Sequence, residues 1–156
     1  MRPLPASRLL LLTALCTLVG QGCHDPDRPP EVVEISVTGE NFEWHSRYGG
    51  PDGKLGTADD VPARQILHVP TDTRIVIHLT SRDYLYTFML PQLEAKEIAV
   101  PDLIFTVEFR TGAPGTFELR GDQLCGYAHK SLLGELVVEP PRAWRQWLEK
   151  MANQDG

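Results

Sequence analysis

Cysteine, methionine and tryptophan are scarce in this 156-residue chain, which has three of each. Cys16 and Cys23 belong to the N-terminal segment, so the rest of the chain keeps Cys125 with no partner for an internal disulfide. Positive charge is also in deficit, since the formal net charge is -6, and nucleic acid is therefore a poor partner. A phosphate-binding glycine loop and a dinucleotide fingerprint are both missing, so the common nucleotide-binding motifs are excluded.

The N-terminus has the pattern of a targeting segment. Arg2 and Arg8 precede an apolar run over residues 9–19, and a cluster of small residues ends at Cys23. We predict that residues 1–22 are a signal peptide and that Cys23 becomes the lipid-bearing first residue of a lipoprotein. The alternative is an uncleaved membrane anchor, slightly shorter than the roughly 20 apolar residues that a span needs. Either way the domain is exported and tethered, and residues 23–32 form a stiff, polar linker.

Short apolar runs separated by Gly and Pro dominate residues 33–140, which we predict to be one all-β domain built as a two-sheet sandwich. The predicted strands cover residues 32–39, 65–70, 74–80, 86–90, 103–109, 115–120 and 134–139. Phe42, Trp44 and Tyr48 have mostly even spacing, which predicts that their rings lie largely on one face of an extended segment. Residues 141–156 follow as a short C-terminal helix and tail. Pro141 opens this helix, and Trp144, Leu148 and Met151 share one stripe that we expect to dock on the sandwich.

The pair Cys125 and His129 is the most informative feature of the chain. A thiolate and an imidazole four residues apart, between two predicted strands, can bind one transition metal from a single loop. Two other interpretations stay open: the residues share a turn by chance, or Cys125 is a buried structural cysteine. A Cys–His nucleophile is disfavoured, because no orienting third group accompanies the pair.

Four ordered landmarks resemble the copper-binding domain of the cytochrome c oxidase subunit II family. GENFEWHSRY at residues 39–48 is similar to the family segment G-x-Q-W-x-W-x-x-x-Y, and DYLYTFMLP at residues 83–91 is similar to D-V-x-H-S-F-x-x-P. Lys96 and Pro101 continue the match, and GDQLCGYAHKSL at residues 121–132 is similar to the binuclear copper pattern C-x-E-x-C-G-x-x-H-x-x-M. The resemblance implies a cupredoxin-like Greek-key β-sandwich with copper at one end.

The ligand set implied by this resemblance is degenerate. The family's first histidine ligand falls on Tyr86, its first bridging cysteine on Gly121 and its methionine on Leu132. Its glutamate falls on Gln123, whose backbone carbonyl is still available. Because two bridging thiolates are needed for a binuclear centre, we expect at most one copper, held by Cys125 and His129.

Three functions remain open at this point. The first is electron transfer by a tethered, subunit II-like domain on the periplasmic side, working with an oxidase subunit I-like membrane protein and a c-type cytochrome. The second is copper binding or delivery without electron transfer. The third is a metal-free structural or assembly subunit of a respiratory complex. Similarity of fold alone does not choose among them.

Residues 49–60 differ in composition from the rest, being rich in Gly and Asp. Asp52, Asp59 and Asp60 could supply oxygen ligands to calcium, but the spacing is not an EF-hand pattern, and a solvated hairpin tip is favoured. His68 and His78 lie in apolar runs, where ordinary hydrogen-bonded histidines are expected.

Overall fold

A computed structural model describes residues 25–123 and 129–154 of the chain. It contains two five-stranded sheets and one α-helix in that part of the chain, which confirms the predicted all-β sandwich with a short C-terminal helix. The elements are β1 (Val32–Glu40), β2 (Glu43–Tyr48), β3 (Val61–Arg64), β4 (Ile66–Pro70), β5 (Arg74–Ser81), β6 (Tyr86–Leu90), β7 (Ala95–Ala99), β8 (Phe105–Arg110), β9 (Gly115–Gln123), β10 (Gly134–Glu139) and α1 (Pro141–Ala152). Short 3₁₀ helices occupy Pro91–Leu93 and Lys130–Leu132.

The two sheets have the strand orders β3-β2-β1-β5-β8 and β4-β10-β9-β6-β7. Parallel pairing joins β1 to β5 and β4 to β10, whereas the other neighbours pair antiparallel. Parallel neighbours need crossover connections, so the chain passes from one sheet to the other, as in a Greek-key sandwich. These crossings place the end of β1, the start of β6 and the end of β9 at the same end of the domain.

Alternating apolar residues explain the packing of the two sheets. In β1, Val33, Ile35 and Val37 face inward and are buried, while their polar neighbours face out. Strand β5 repeats the pattern in the same sheet. The opposite sheet contributes Phe88 and Leu119 to the shared core. The core therefore lies between the sheets and is continuous from one end to the other.

A tight hairpin turn joins β1 to β2. Asn41 and Phe42 form it with φ values of 51° and 63°, both in the left-handed region. Two residues with positive φ are typical of a type I′ turn, whose twist suits a β-hairpin. A bulky residue such as Phe42 is rare in this conformation and has to be held there by its surroundings. Thus Phe42 lies in the turn, not on the extended face with Trp44 and Tyr48 where the sequence placed it.

Helix α1 closes the other end of the domain. Trp144 is buried, and its indole N–H donates to the carbonyl of His68 at 3.1 Å. Leu148 and Met151 pack on the core from the same stripe, as the sequence predicted. Arg145 donates to the backbone carbonyls of Pro26 and Arg28, so the residues that precede β1 lie against the helix. Within the described residues, no helix is long and apolar enough to cross a membrane.

Candidate metal centre

The retained histidine of the predicted site lies at the end of the sandwich where β1, β6 and β9 meet. His129 directly precedes the 3₁₀ helix, and its carbonyl accepts a hydrogen bond from the N–H of Leu132 at 3.0 Å. Cys125 falls outside the described residues, so its pairing with His129 stays a prediction. The side chain of Gln123 also lies outside what the structure describes, although its backbone ends β9.

The imidazole of His129 stacks on an aromatic side chain. Its ring centroid lies 3.9 Å from that of Phe42, with 23° between the planes. Phe42 also stacks on Tyr84 at 5.3 Å. The imidazole is therefore positioned by a ring that belongs to the strained β1–β2 turn.

Tyr86 occupies the position of the family's first histidine ligand, and its side chain is wholly buried. Its hydroxyl donates to Oδ1 of Asp83 at 2.7 Å and accepts the backbone N–H of Phe42 at 3.3 Å. The other oxygen of Asp83 accepts the N–H of Asn41 at 2.7 Å. The phenol oxygen is thus already engaged by two protein groups and is not a free donor for a metal.

The ionisation of this pair follows from the same contacts. Burial, reinforced by the hydrogen bond to Asp83, raises the pKa of Tyr86 far above its ordinary value. Burial also opposes ionisation of Asp83, but the hydrogen bonds from Tyr86, Asn41 and Tyr84 outweigh it and lower the pKa of that carboxyl. Tyr86 is therefore a neutral phenol and Asp83 a carboxylate at neutral pH. A neutral phenol is a weak copper ligand.

Gly121 occupies the position of the family's first bridging cysteine, and a neighbouring ring takes the space that its side chain would need. Gly121 is buried, and a Cβ atom built on it would lie 2.9 Å from both Cζ2 and Nε1 of Trp44 and 3.0 Å from Cβ of Leu132. The indole N–H of Trp44 donates to the carbonyl of Leu132 at 3.1 Å, which fixes the ring in place. A Cβ on Gly39 would likewise overlap the ring of Tyr86. The ring of Trp44 thus occupies the space beside residue 121, and the ring of Tyr86 occupies the space beside residue 39.

These contacts do not fit a binuclear copper centre. Gly121 brings no second thiolate, and any side chain there would have to displace the indole of Trp44. The phenol of Tyr86 is engaged, and the fully buried Leu132 offers an aliphatic side chain where the family has methionine. Among residues 25–123 and 129–154, no group of three or more His, Cys, Asp or Glu side chains is gathered around a common point.

Two other histidines, His68 and His78, have ordinary hydrogen-bond partners. His68 Nδ1 lies 2.9 Å from Glu139, and its ring stacks on Trp147 at 4.4 Å. His78 Nε2 lies 3.0 Å from Glu34. Both agree with the expectation of hydrogen-bonded histidines in strands.

The acidic loop of residues 49–60 connects the antiparallel strands β2 and β3, as expected of a hairpin tip. Its carboxylates bond to the loop itself. Asp60 accepts the backbone N–H groups of Gly56 and Thr57 at 3.0 to 3.2 Å, and Asp52 accepts that of Lys54 at 2.8 Å.

Sequence reasoning missed the role of Asp83. It appeared only as a landmark of the resemblance, although an aspartate three residues before a tyrosine was visible in the sequence. Asp83 accepts hydrogen bonds from two separate chain segments. This role could be recognised only from the register of β1, β2 and β6, which a single sequence does not reveal.

Comparison with known proteins decides the family. The family model for the periplasmic domain of cytochrome c oxidase subunit II matches residues 53–139. The chain belongs to the cytochrome c oxidase subunit II family. The predicted resemblance is thereby confirmed, and the sandwich is the cupredoxin-like domain of that family.

Relatives agree with this assignment. The chain is 29% identical over 144 residues to alternative cytochrome c oxidase subunit 2 of Bradyrhizobium diazoefficiens, which covers 78% of this chain and 52% of that protein. It is 28% identical to cytochrome c oxidase subunit 2 of Alkalihalophilus pseudofirmus, with 92% of this chain and 41% of that protein covered. The chain thus spans about half the length of these relatives.

Solved structures show the same fold. The periplasmic domain of subunit II of cytochrome oxidase from Bradyrhizobium japonicum superposes with a TM-score of 0.68 at 20% identity, covering 81% of this chain and 97% of that one. A chain from a heme-copper terminal oxidase dimer has a TM-score of 0.52 at 15% identity, with 74% of each chain covered.

Proposed function

We propose that the chain is a membrane-tethered, subunit II-like electron-transfer domain that binds at most one copper, through Cys125 and His129. Gly121 supports this stoichiometry, because it brings no second bridging thiolate and any side chain there would have to displace Trp44. The retained His129 has an ordered place at the end of the sandwich, against Phe42. A single copper bound there would supply one-electron chemistry.

Family membership and the N-terminal sequence pattern support the proposed surroundings. The domain would lie on the periplasmic side of the cytoplasmic membrane, tethered by a lipid on Cys23 and the linker of residues 23–32. It would join an oxidase subunit I-like membrane protein and exchange electrons with a c-type cytochrome. Exposed apolar side chains at this end support a docking role, since Tyr84, which stacks on Phe42, is 47% exposed and the adjacent Leu85 is 38% exposed.

One observation favours a second candidate, a metal-free structural or assembly subunit. The hydroxyl of Tyr86 bonds to Asp83 and to Phe42, which joins the segments around the site with no metal. A domain held in this way does not need copper to keep its shape. It could serve the complex as a docking surface alone.

Copper stoichiometry tests the first proposal. The full chain is purified in detergent, loaded with Cu(II), and assayed for copper per chain and for a thiolate-to-copper absorption band. We expect one copper and a visible band, both lost in Cys125→Ser and in His129→Ala. His45→Ala is the matched control, because His45 lies in β2 and should leave both signals intact.

The other results choose among the alternatives. Two coppers per chain would contradict the proposal, and no tight copper would favour the metal-free subunit. Reversible reduction of the bound copper by a c-type cytochrome supports electron transfer. Release of the copper to an apo-acceptor, without reversible reduction, would instead indicate delivery.

A further inference from the structure

Two separate chain segments meet at one carboxylate near the candidate centre. Asp83, between β5 and β6, accepts the N–H of Asn41 at 2.7 Å, the N–H of Tyr84 at 2.8 Å and the hydroxyl of Tyr86 at 2.7 Å. Asn41 belongs to the β1–β2 turn, and Tyr86 is the first residue of β6. The carboxylate therefore links a turn of one sheet to a strand of the other.

The same network holds the backbone of the strained turn. Asn41 and Phe42 both have positive φ, and the N–H of each points to the network, one to Asp83 and the other to the hydroxyl of Tyr86. Without these acceptors only water would bond the two N–H groups, and nothing would hold Phe42 in a backbone conformation that it disfavours. The phenol and the carboxylate thus stabilise this turn in the left-handed region.

The aromatic side chain of that turn contacts the retained histidine. Phe42 stacks on the imidazole of His129 at 3.9 Å, and its ring meets Tyr86 edge-on at 6.0 Å. Tyr86 does not itself stack on His129 in this arrangement. In the described part of the chain, Phe42 is the ring that contacts both side chains.

We propose that Tyr86 is a positioning residue, whose hydroxyl ties the β1–β2 turn to β6 and so holds Phe42 against the imidazole of His129 without a metal. By the resemblance described above, this position is a histidine ligand in the family. A hydrogen-bonded cross-link has taken the place of a coordination bond. Protein contacts alone make this arrangement, so the inference does not rest on the copper proposal.

The experiment uses the full, metal-free chain in detergent, with labelled histidines observed by NMR after treatment with EDTA. The chain has five histidines, and His129→Gln assigns the signal of interest. Because its ring faces Phe42, the ring protons of His129 should be shifted upfield by the ring current. In Tyr86→Phe, which removes only the hydroxyl, we expect this upfield shift to be lost while the other four histidines keep their positions.

Tyr48→Phe is the matched control. Tyr48 is also a buried phenol, and its hydroxyl accepts the backbone N–H of His68 at 2.9 Å, near helix α1 and away from the site. We expect Tyr48→Phe to move the His68 signal and to leave that of His129 in place. Tyr48→Phe should lower Tm by about 3 °C for one lost hydrogen bond, and Tyr86→Phe, which loses two, by about 6 °C.

A second variant distinguishes loss of the hydrogen-bond network from a general loss of structure. Asp83→Ala removes the shared acceptor and leaves both rings intact, so it should abolish the His129 shift in the same way. The positioning role is overturned if His129 keeps its shift in Tyr86→Phe, or if all five histidines move together. Since no copper is present, these results do not depend on whether the chain binds it.

Discussion

The indole of Trp44 lies in the space that any side chain on Gly121 would need. The two residues come from different sheets, and Trp44 is held there by its bond to the carbonyl of Leu132. Restoring a cysteine at residue 121 would therefore not by itself rebuild the family's binuclear centre. The indole would have to move, and with it the hydrogen bond that it makes.

Substitution of Gly121 by alanine measures this crowding. We expect Gly121→Ala to lower the free energy of unfolding by about 1–3 kcal/mol, since the new Cβ would force a hydrogen-bonded ring out of place. Urea unfolding followed by tryptophan fluorescence gives the value. Gly112→Ala is the control, because a Cβ there meets nothing within 4 Å. Equal stability of the two variants would show that the indole yields freely.

Acid should weaken the domain partly through Asp83. Its pKa is lower in the folded chain than its ordinary value of 3.8, so its stabilising effect is complete above that value. The effect is lost as the pH falls through the lower, folded pKa. We expect the free energy of unfolding to fall below about pH 4, and Asp83→Asn to reduce the slope there. Urea unfolding from pH 7 to pH 2.5 provides the measurement, and an unchanged slope in Asp83→Asn would contradict it.

Helix α1 should contribute strongly to stability through Trp144. This side chain is 8% exposed and donates a hydrogen bond to the carbonyl of His68. We expect Trp144→Ala to cost about 3 kcal/mol, and Trp144→Phe to cost less because most of the apolar contact is kept. Gln146→Ala, on the exposed side of the helix, is the control. Chemical denaturation that shows no difference between Trp144→Ala and Gln146→Ala would mean that the helix does not stabilise the sandwich.

Calcium should not stabilise the loop of residues 49–60. Its carboxylates already accept backbone N–H groups of the loop, above all through Asp60. We expect the Tm to be the same in calcium and in EDTA, since only a ligand that binds the folded state raises it. Asp60→Ala should instead speed amide exchange at Gly56 and Thr57. A Tm that rises with calcium concentration would reveal a cation site.

The strands that could be predicted from the sequence are those with a regular pattern of buried apolar residues. β1 and β5 contain alternating or continuous Val, Ile and Leu, and both were placed to within a residue at each end. β3 and β7 were missed because they are short edge strands, where pairing on one side suffices and the composition can be polar or include Pro62. Leu103 and Ile104 were assigned to a strand, yet β8 begins at Phe105 and both residues are exposed.

The candidate centre was predictable only in its parts. The loss of ligand side chains at Tyr86 and Gly121 was visible from the motif. What replaced them was not, because Trp44 and Gly121 are far apart in sequence and meet only when the two sheets pack. The contact between Phe42 and His129 depends in addition on a turn conformation that phenylalanine seldom adopts. The pairing of Cys125 with His129 stays a prediction.

The hydrogen bonds from Arg145 to Pro26 and Arg28 place the first described residues beside the C-terminal helix. A flexible peptide could therefore join Gln154 to Asp25, with new chain ends opened inside the acidic loop after β2. We expect such a circular permutant to fold, since the cut falls in an exposed connection and no strand is interrupted. The new chain ends would offer a place for a reporter dye, and the face around His129 would stay unchanged.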